Sequence, residues 1–174
     1  MNEKLCTAAE AALRRAGALR PGAVLLVALS GGADSVALLH TVRALGEKYG
    51  FAVRAAHVEH GLRGEASLED AAFCQRLCQR LGVPFACDLA ALGGDMAAPG
   101  AEARAREARY ALLLARAREC RADALLTAHH RDDQAETVLL HLLRGSGARG
   151  LGGMREVSIQ DGVTIIRPLL AVSR

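Results

Sequence analysis

The sequence has 174 residues, of which 51% are hydrophobic and 24% charged, with a formal net charge of +3. This length and composition predict one globular domain with a core large enough to fold alone. No apolar run approaches the roughly 18 residues that a membrane span requires, and no signal-peptide block begins the chain, so we expect a cytoplasmic protein without a membrane partner.

Cysteine and basic residues narrow the function classes further. The five cysteines are odd in number and contain no Cys-x-x-Cys pair, which disfavours a disulfide scaffold and a four-cysteine metal site. Cys74 and Cys78 lie four residues apart in a predicted helix, and we expect both to pack in the core. Only Lys4 and Lys48 are lysine among 22 basic residues. Arginine suits phosphate contacts, but this bias also fits genome composition, so charge alone does not indicate RNA binding.

Strand-length apolar runs alternate with segments of helical periodicity along the chain. In chain order the pattern predicts a helix over 3–17, a strand over 23–30, a helix over 35–49, a strand over 51–59, a helix over 68–82, a strand over 83–90, a helix over 101–120, a strand over 123–129 and a helix over 132–143. Ser67 and Asp70 resemble a capping box for the third helix. Residues 156–170 read as a hairpin with Asp161-Gly162 at its turn. The alternation predicts an α/β fold with a doubly wound, mostly parallel, five-stranded sheet.

Three stretches of unusual composition fall at the carboxyl ends of predicted strands. They are "SGGADS" at 30–35, "HVEHGLRGEAS" at 57–67 and "TAHHRDDQAET" at 127–137. Ligands of open α/β sheets bind at this edge of the sheet. The sequence therefore predicts one active site built from all three stretches.

The stretch "SGGADS" is typical of an anion-binding loop, although it lacks the lysine of a Walker A motif. Backbone N–H groups, the Ser30 and Ser35 hydroxyls and the start of the following helix would hold a phosphate there. Asp34 would repel that phosphate unless a cation such as Mg²⁺ lies between them. The alternative is that Asp34 caps the helix in a glycine-containing turn.

These residues also carry a resemblance to a known family. "SGGADS" after a strand resembles the PP-loop of ATP pyrophosphatases. "HVEHGLRGEAS", "EARAREARY", "HHRDDQAETVLLHLLRGSGARGLGGM" and "RPLLAVSR" resemble, in this order, the successive motifs of the tRNA(Ile)-lysidine synthetases. The resemblance runs from about residue 25 to residue 174, and it implies a Rossmann-like fold of the adenine nucleotide alpha hydrolase type.

The resemblance implies a ligase that uses ATP and Mg²⁺ to convert the wobble cytidine of tRNA(Ile) with a CAU anticodon to lysidine. ATP would adenylate the carbon-2 oxygen of the cytosine with release of pyrophosphate. The amine of free L-lysine would then attack that carbon and release AMP. The amine must first lose its proton, and a carboxylate among Asp34, Asp133 and Glu136 could accept it.

The resemblance also implies the site residues, beside simpler readings of the same residues. ATP would contact Ser30, Gly31, Gly32, Ala33, Asp34, Ser35 and His57; catalysis would use Asp34, Arg109, His129 and Asp133; Asp133 and Glu136 would bind lysine; and Asp34 would hold the metal. His129, Asp133 and Glu136 have the spacing of one helical face. The simpler reading is that Asp133 caps the helix and Glu136 completes a capping box.

Other residues near these motifs keep alternative readings. His57 on a buried strand needs a hydrogen-bond partner whatever its function. His60 and Arg63 would line a nucleotide or base pocket, or belong to a solvated loop. Arg104, Arg106 and Arg109 cannot all share one helix face, so some of them must be solvated; the resemblance carries Arg109 to the ATP phosphates.

Two other functions share part of this pattern. A PP-loop tRNA cytidine thiolase would share the loop and the histidine-aspartate region, but such enzymes use paired cysteines, and no Cys-x-x-Cys is present. A nucleotide-binding module without chemistry would leave the acidic cluster of residues 132–136 unexplained. We expect residues 1–174 to form one ATP-binding catalytic domain that lacks the family's further tRNA-recognition domains, with a dimer as a possible assembly.

Overall fold

A computed structural model describes residues 3–59, 65–90, 100–143, 145 and 152–173 of the chain, with the side chains of 65–68 left undescribed. Its elements, in chain order, are α1 (Glu3–Arg15), β1 (Val24–Ala28), α2 (Ala33–Tyr49), β2 (Ala52–Glu59), α3 (Glu65–Leu81), β3 (Phe85–Leu89), α4 (Ala101–Glu119), β4 (Ala124–Leu126), α5 (Arg131–Leu143), β5 (Val157–Gln160) and β6 (Val163–Ile166). Every helix and strand that the sequence predicts is present, with ends that differ by a few residues.

The strands form a doubly wound sheet in the order β3-β2-β1-β4-β6-β5, parallel except for β5. This confirms the predicted α/β fold class. The count of five strands is wrong, because both arms of the predicted hairpin join the sheet and give six. The strand order reverses between β1 and β4, so the carboxyl ends of these two strands flank the switch point at which such sheets bind ligands.

Alternate residues of the central strands feed two apolar layers, one on each face of the sheet. Leu25 and Val27 of β1 pack with α1, α2 and α3 in the larger layer. Leu26 of β1 packs with Tyr110 and Leu114 of α4 in the smaller layer. Burial on both faces explains why these strands are continuous apolar runs rather than alternating ones. The helix α2 therefore lies across the sheet from α4; its first turn is the second half of the segment 30–35, which we call the loop 30–35.

The hairpin forms at the predicted turn. Asp161 has φ 48° and Gly162 has φ 79°. Two successive residues with positive φ make the turn whose twist matches that of the flanking strands. The turn sets the antiparallel register of β5 on β6, in which Gln160 lies opposite Val163.

One predicted helix start and one predicted helical face are wrong. The helix α3 begins at Glu65, so Ser67 lies within its first turn and cannot be the N-cap residue. The helix α5 begins at Arg131, which places His129 before the helix rather than on its face. Within the described ranges, no helix is both long enough and apolar enough to cross a membrane.

Candidate active site

A cavity of about 490 Å³ opens at the carboxyl ends of β1, β2 and β4. Its walls combine the loop after β1 and residues of α2, α3, α4 and α5. The lining residues are Ala28, Leu29, Ser30, Gly32, Asp34, Ser35, Ala56, His57, Val58, Asp70, Arg109, Tyr110, Leu113, Thr127, Ala128, His129, His130 and Asp133. The cavity therefore brings together residues from all three stretches that the sequence singles out.

The loop 30–35 is organised by the buried hydroxyl of Ser35. This hydroxyl donates to the carbonyl of Gly32 over 2.9 Å and accepts from the backbone N–H of Ser30 over 3.1 Å. The hydroxyl of Ser30 lies 3.1 Å from the same oxygen. Gly31 has φ +88°, a conformation that side chains with a Cβ rarely adopt. The loop thus folds back on itself and directs the chain into α2.

The N-terminus of α2 suits an anion. Its N-cap residue is Gly32, and no side chain caps this helix start in the described chain. The first N–H groups of a helix without a side-chain cap can donate to a phosphate, and the helix dipole favours the negative charge. Asp34 lies in the first turn rather than at the N-cap, so the reading of Asp34 as the helix cap is wrong.

Asp34 is positioned next to His130, the residue immediately before α5. Its Oδ2 lies 3.7 Å from Nε2 of His130, whose side chain is 13% exposed. The Nδ1 of His130 accepts from the backbone N–H of Asp132 over 3.2 Å, so Nε2 is the ring nitrogen that faces the carboxylate of Asp34. His130 therefore connects the loop after β1 to the start of α5.

Asp133 caps α5, but not in the predicted way. Its Oδ2 accepts from the backbone N–H of His130 over 2.8 Å and lies 3.4 Å from Nδ1 of the same residue. Asp133 is therefore the third helical residue of a capping box whose N-cap is His130. Glu136 does not complete that box. Its side chain is exposed and is not among the residues that line the cavity.

His129 is a neutral residue inside the cavity. Its Nδ1 lies 2.9 Å from Oγ1 of Thr127, at the end of β4. Burial, followed by the nearby charges of Arg167, Arg106 and Arg109, lowers the pKa of His129 from 6.5 to about 4. At neutral pH the ring is uncharged and offers one donor and one acceptor.

Arg109 and Tyr110 form the α4 wall of the cavity. Burial lowers the pKa of the Arg109 guanidinium, and the charge of Arg106 adds to that effect. The guanidinium carbons of Arg106 and Arg109 lie 5.3 and 5.8 Å from the centre of the Tyr110 ring. A partly buried cation of this kind is stabilised by a bound anion.

His57 is both a hydrogen-bonded core residue and a residue of the cavity wall. It is 5% exposed, and its Nδ1 donates to the carbonyl of Leu29 over 2.8 Å, which satisfies the buried ring. The Sγ of Cys74 lies 3.8 Å from the same nitrogen. Because a carbonyl can only accept, the neutral ring keeps Nε2 as an acceptor. His57 also lines the cavity, so it is available to a ligand.

Most of the predicted site residues meet at the cavity, and sequence reasoning missed others. Asp70 of α3 lines it, and a Cβ added to Gly31 would lie 3.6 Å from its Oδ1. Tyr110, Thr127 and His130 lie within the quoted motifs, but the motifs indicate no role for them, and the sequence indicates Asp70 only as part of a capping box. Of the predicted residues, His60 and Arg63 lie outside the described residues, as does most of the segment from Gly145 to Gly153.

Asp34 fits a role in binding Mg²⁺ together with a phosphate. Magnesium prefers oxygen ligands, keeps several waters, and is commonly held by one or two carboxylates plus the phosphates of a substrate. The side chain of Asp34 is 36% exposed beside the anion-binding loop, which leaves room for such waters. Across the described ranges, no three His, Cys, Asp or Glu side chains are grouped as an all-protein metal cage would require.

A family model described as a PP-loop domain matches residues 3–174. The chain is 45% identical over 166 residues to a tRNA(Ile)-lysidine synthase of Symbiobacterium thermophilum, covering 92% of this chain and 33% of that protein. It is 49% identical over 150 residues to the protein of the same name in Ralstonia nicotianae, covering 85% and 32%. It is 40% identical over 169 residues to that of Dehalococcoides mccartyi, covering 93% and 36%. The chain thus spans about a third of the length of the curated relatives it matches.

A solved structure is similar in fold over nearly the whole chain. It is a U34-tRNA thiolase from Methanococcus maripaludis, with its [4Fe-4S] cluster, and the TM-score is 0.82. The match covers 98% of this chain and 60% of the thiolase, at 18% sequence identity. At that identity the likeness is one of fold.

Proposed function

The chain belongs to the PP-loop domain family, and from that membership we propose that it is the ATP-binding catalytic domain of a tRNA(Ile)-lysidine synthetase. The reaction is adenylation of the carbon-2 oxygen of a wobble cytidine in tRNA(Ile), followed by attack of free lysine. The observation that carries the proposal is that the anion-binding loop 30–35 and the carboxylate of Asp133 line one cavity, linked through His130. This arrangement offers one wall to a nucleotide and another to a cationic substrate.

The first step joins the carbon-2 oxygen of cytosine to the α-phosphorus of ATP and breaks the bond to the β-phosphate. The N–H groups at the start of α2 hold the phosphates. The hydroxyls of Ser30 and Ser35, which are hydrogen-bonded within the loop, keep the loop in the shape that exposes those N–H groups. Arg109 places a fixed positive charge on the opposite wall, where it stabilises negative charge as pyrophosphate leaves. Mg²⁺, when bound at Asp34, would offset the repulsion between that carboxylate and the phosphates.

The second step requires a lysine amine without its proton. The oxygen of an amide-like carbonyl is a poor leaving group, whereas the adenylated oxygen departs as part of AMP. Asp133 is the carboxylate of α5 that lines the cavity, so it is best placed to bind the lysine ammonium and accept a proton from it. His129, which is neutral at physiological pH, can accept a hydrogen bond from the amine without repelling it. Glu136 contributes at longer range from its exposed position.

The thiolase alternative fits this chain less well. Cys74 and Cys78 are fully buried, and burial raises the pKa of their thiols to about 12 and about 11. Protonated, buried thiols are poor nucleophiles and poor metal ligands. The thiolase named above shares the fold, and its cluster is a property of that protein.

Pyrophosphate exchange into ATP tests the proposed chemistry. Exchange that depends on tRNA(Ile) with a CAU anticodon supports adenylation of the RNA by this site. Exchange without any RNA, or ATP binding without exchange, would favour a different substrate or a binding module without chemistry. Because tRNA and ATP meet in the cytoplasm, the proposal places the activity there.

A further inference from the structure

The proposed function leaves two buried hydrogen-bond donors unused, the hydroxyl of Tyr110 on the α4 wall of the cavity and Nε of Arg167 in the segment after β6. Tyr110 is 8% exposed, and its Oη has no hydrogen-bond partner within the described residues. Arg167, which follows β6, is 9% exposed, and its Nε likewise has no partner there. Buried donors without acceptors are rare in folded proteins because each loses its hydration without compensation. Tyr110 lines the cavity, and Arg167 directly follows Ile166, whose carbonyl bonds to the cavity residue Thr127, so both donors are placed to meet an acceptor that arrives with a ligand.

The rest of Arg167 is held firmly. Its Nη1 donates to the carbonyl of Arg155 over 2.8 Å and to Oγ of Ser158 over 2.9 Å. The backbone N–H of Thr127 donates to the carbonyl of Ile166, so Arg167 follows directly after the point where the ends of β4 and β6 meet. Its position is therefore fixed by the sheet before any ligand binds.

Arg106 brings a positive charge to the same region. Its guanidinium carbon lies 5.3 Å from the centre of the Tyr110 ring, and Arg106 is exposed and is not among the residues that line the cavity. Arg106 and Arg167 both lower the pKa of His129, so both lie within electrostatic reach of that ring. None of the ion pairs in the described chain involves Arg106 or Arg167.

We propose that Arg106, Tyr110 and Arg167 form a second anion subsite, which binds a phosphodiester group of the RNA next to the base undergoing reaction. This inference rests on the proposed function, which makes an RNA base the substrate. A nucleotide cannot enter the cavity without bringing the phosphates on either side of it close to the entrance. Arginine and a phenol are suitable donors to such a phosphate.

The position of the subsite favours RNA over the two small substrates. The phosphates of ATP already have donors at the start of α2 and the charge of Arg109, so they do not require Arg106, Tyr110 or Arg167. Free lysine would lie within the cavity, whereas Arg106 is exposed outside the cavity lining. A phosphate of a polymer that remains largely outside the cavity fits an exposed cation beside two buried donors.

The test measures binding of an anticodon stem-loop RNA to the chain across roughly 50–200 mM salt. The variants are Arg106→Gln and Tyr110→Phe. The matched control is Arg118→Gln, which removes the same charge at the other end of α4, where Arg118 donates to the carbonyl of Asp161. Arg106→Gln is expected to weaken RNA binding on the order of fivefold to tenfold and to reduce the salt slope by about one. The control should leave both quantities close to those of the unmodified chain.

Tyr110→Phe separates ligand binding from a structural role. Removing a buried hydroxyl without a partner should leave the melting temperature unchanged or raise it, while RNA affinity falls. A fall in both would indicate that the hydroxyl supports the fold and would overturn its assignment. A neutral methylphosphonate in place of one phosphate beside the target cytidine should weaken binding by the unmodified chain but not by Arg106→Gln.

Other outcomes assign the donors elsewhere. If the variants lose more affinity for ATP than for RNA, the donors belong to the nucleotide site. If only the lysine concentration that the reaction requires rises, the donors bind the carboxylate of free lysine. Absence of RNA binding by the unmodified chain at the lowest salt would also overturn the proposal. The binding assay needs no lysine transfer, so RNA binding with the expected salt slope but no lysidine formation would refute the proposed function alone.

Discussion

Asp133 has two roles that substitution can separate. Its carboxylate accepts from the backbone N–H of His130 over 2.8 Å, which caps α5, and it lines the cavity in which we place lysine. Asp133→Ala removes both functions, whereas Asp133→Asn keeps an oxygen for the cap and removes the charge. Glu136→Gln is the matched control, because it removes a carboxylate from the same helix at an exposed position outside the cavity lining.

The magnitudes follow from the contacts. Loss of a capping hydrogen bond costs about 1 kcal/mol, and loss of a negative charge in the first turn adds about 0.3–1 kcal/mol. For a domain of this size, 1 kcal/mol lowers the melting temperature by roughly 2–4 °C. Asp133→Ala should therefore melt about 3–8 °C lower, and Asp133→Asn about 1–4 °C lower. Glu136→Gln should change the free energy of unfolding by less than about 0.5 kcal/mol.

Lysine kinetics provide the second readout. Both Asp133 variants should raise the KM for lysine about tenfold or more, since a hydrogen bond to a charged group is worth about 1.5–3 kcal/mol. Glu136→Gln should raise it less. An Asp133→Asn enzyme with the normal lysine KM and a lower melting temperature would reduce Asp133 to a helix cap. A Glu136→Gln protein that melts as low as Asp133→Ala would show that the cap has been assigned to the wrong carboxylate.

Three further predictions address the loop, the neutral histidine and the packing of α2. Asp34→Asn should abolish adenylation and leave the melting temperature within a few degrees of normal; adenylate formation at the normal rate would rule out the metal role. In the unfolded chain His129 is protonated below about pH 6.5, whereas in the folded chain it is protonated only below about pH 4. The free energy of unfolding therefore decreases as pH falls through this window. His129→Gln should flatten that part of the urea-unfolding profile, whereas His40→Gln, at an exposed site, should not; equal profiles for the two would contradict the burial of His129. Gly46→Ala should destabilise the fold by about 1–2 kcal/mol, because the added Cβ would lie 2.9 Å from the carbonyl oxygen of Phe51 and overpacking outweighs the helix propensity gained; a more stable variant would show that α2 can move away from β2.

Local patterns predicted the sheet and the loop well for physical reasons. The central strands are buried on both faces and therefore stand out as apolar runs, and the Asp161-Gly162 pair has few conformations other than a tight turn. Helix ends were less predictable. Ser67 has the composition of a cap, yet α3 begins at Glu65, because several residues near a helix start can compete for the same role.

The parts of the site that sequence did not predict depend on tertiary structure. Tyr110 reads as an ordinary core residue of α4, and its unpaired hydroxyl is evident only once α4 is packed against the sheet. Asp70 reads as a capping residue, but the turn of α3 brings it beside Gly31. His130 is adjacent to the predicted His129, and only the crossing from β4 to α5 shows that it is the residue next to Asp34.

Transfer of labelled lysine tests the central proposal most directly. The protein is incubated with ATP, labelled lysine and tRNA(Ile) carrying a CAU anticodon, and the tRNA is then recovered and counted. We expect label in the tRNA that depends on ATP, is absent when the wobble cytidine is replaced by uridine, and is lost in Asp34→Asn. Pyrophosphate release without label in the tRNA, or transfer of sulfur in place of lysine, would contradict the proposal.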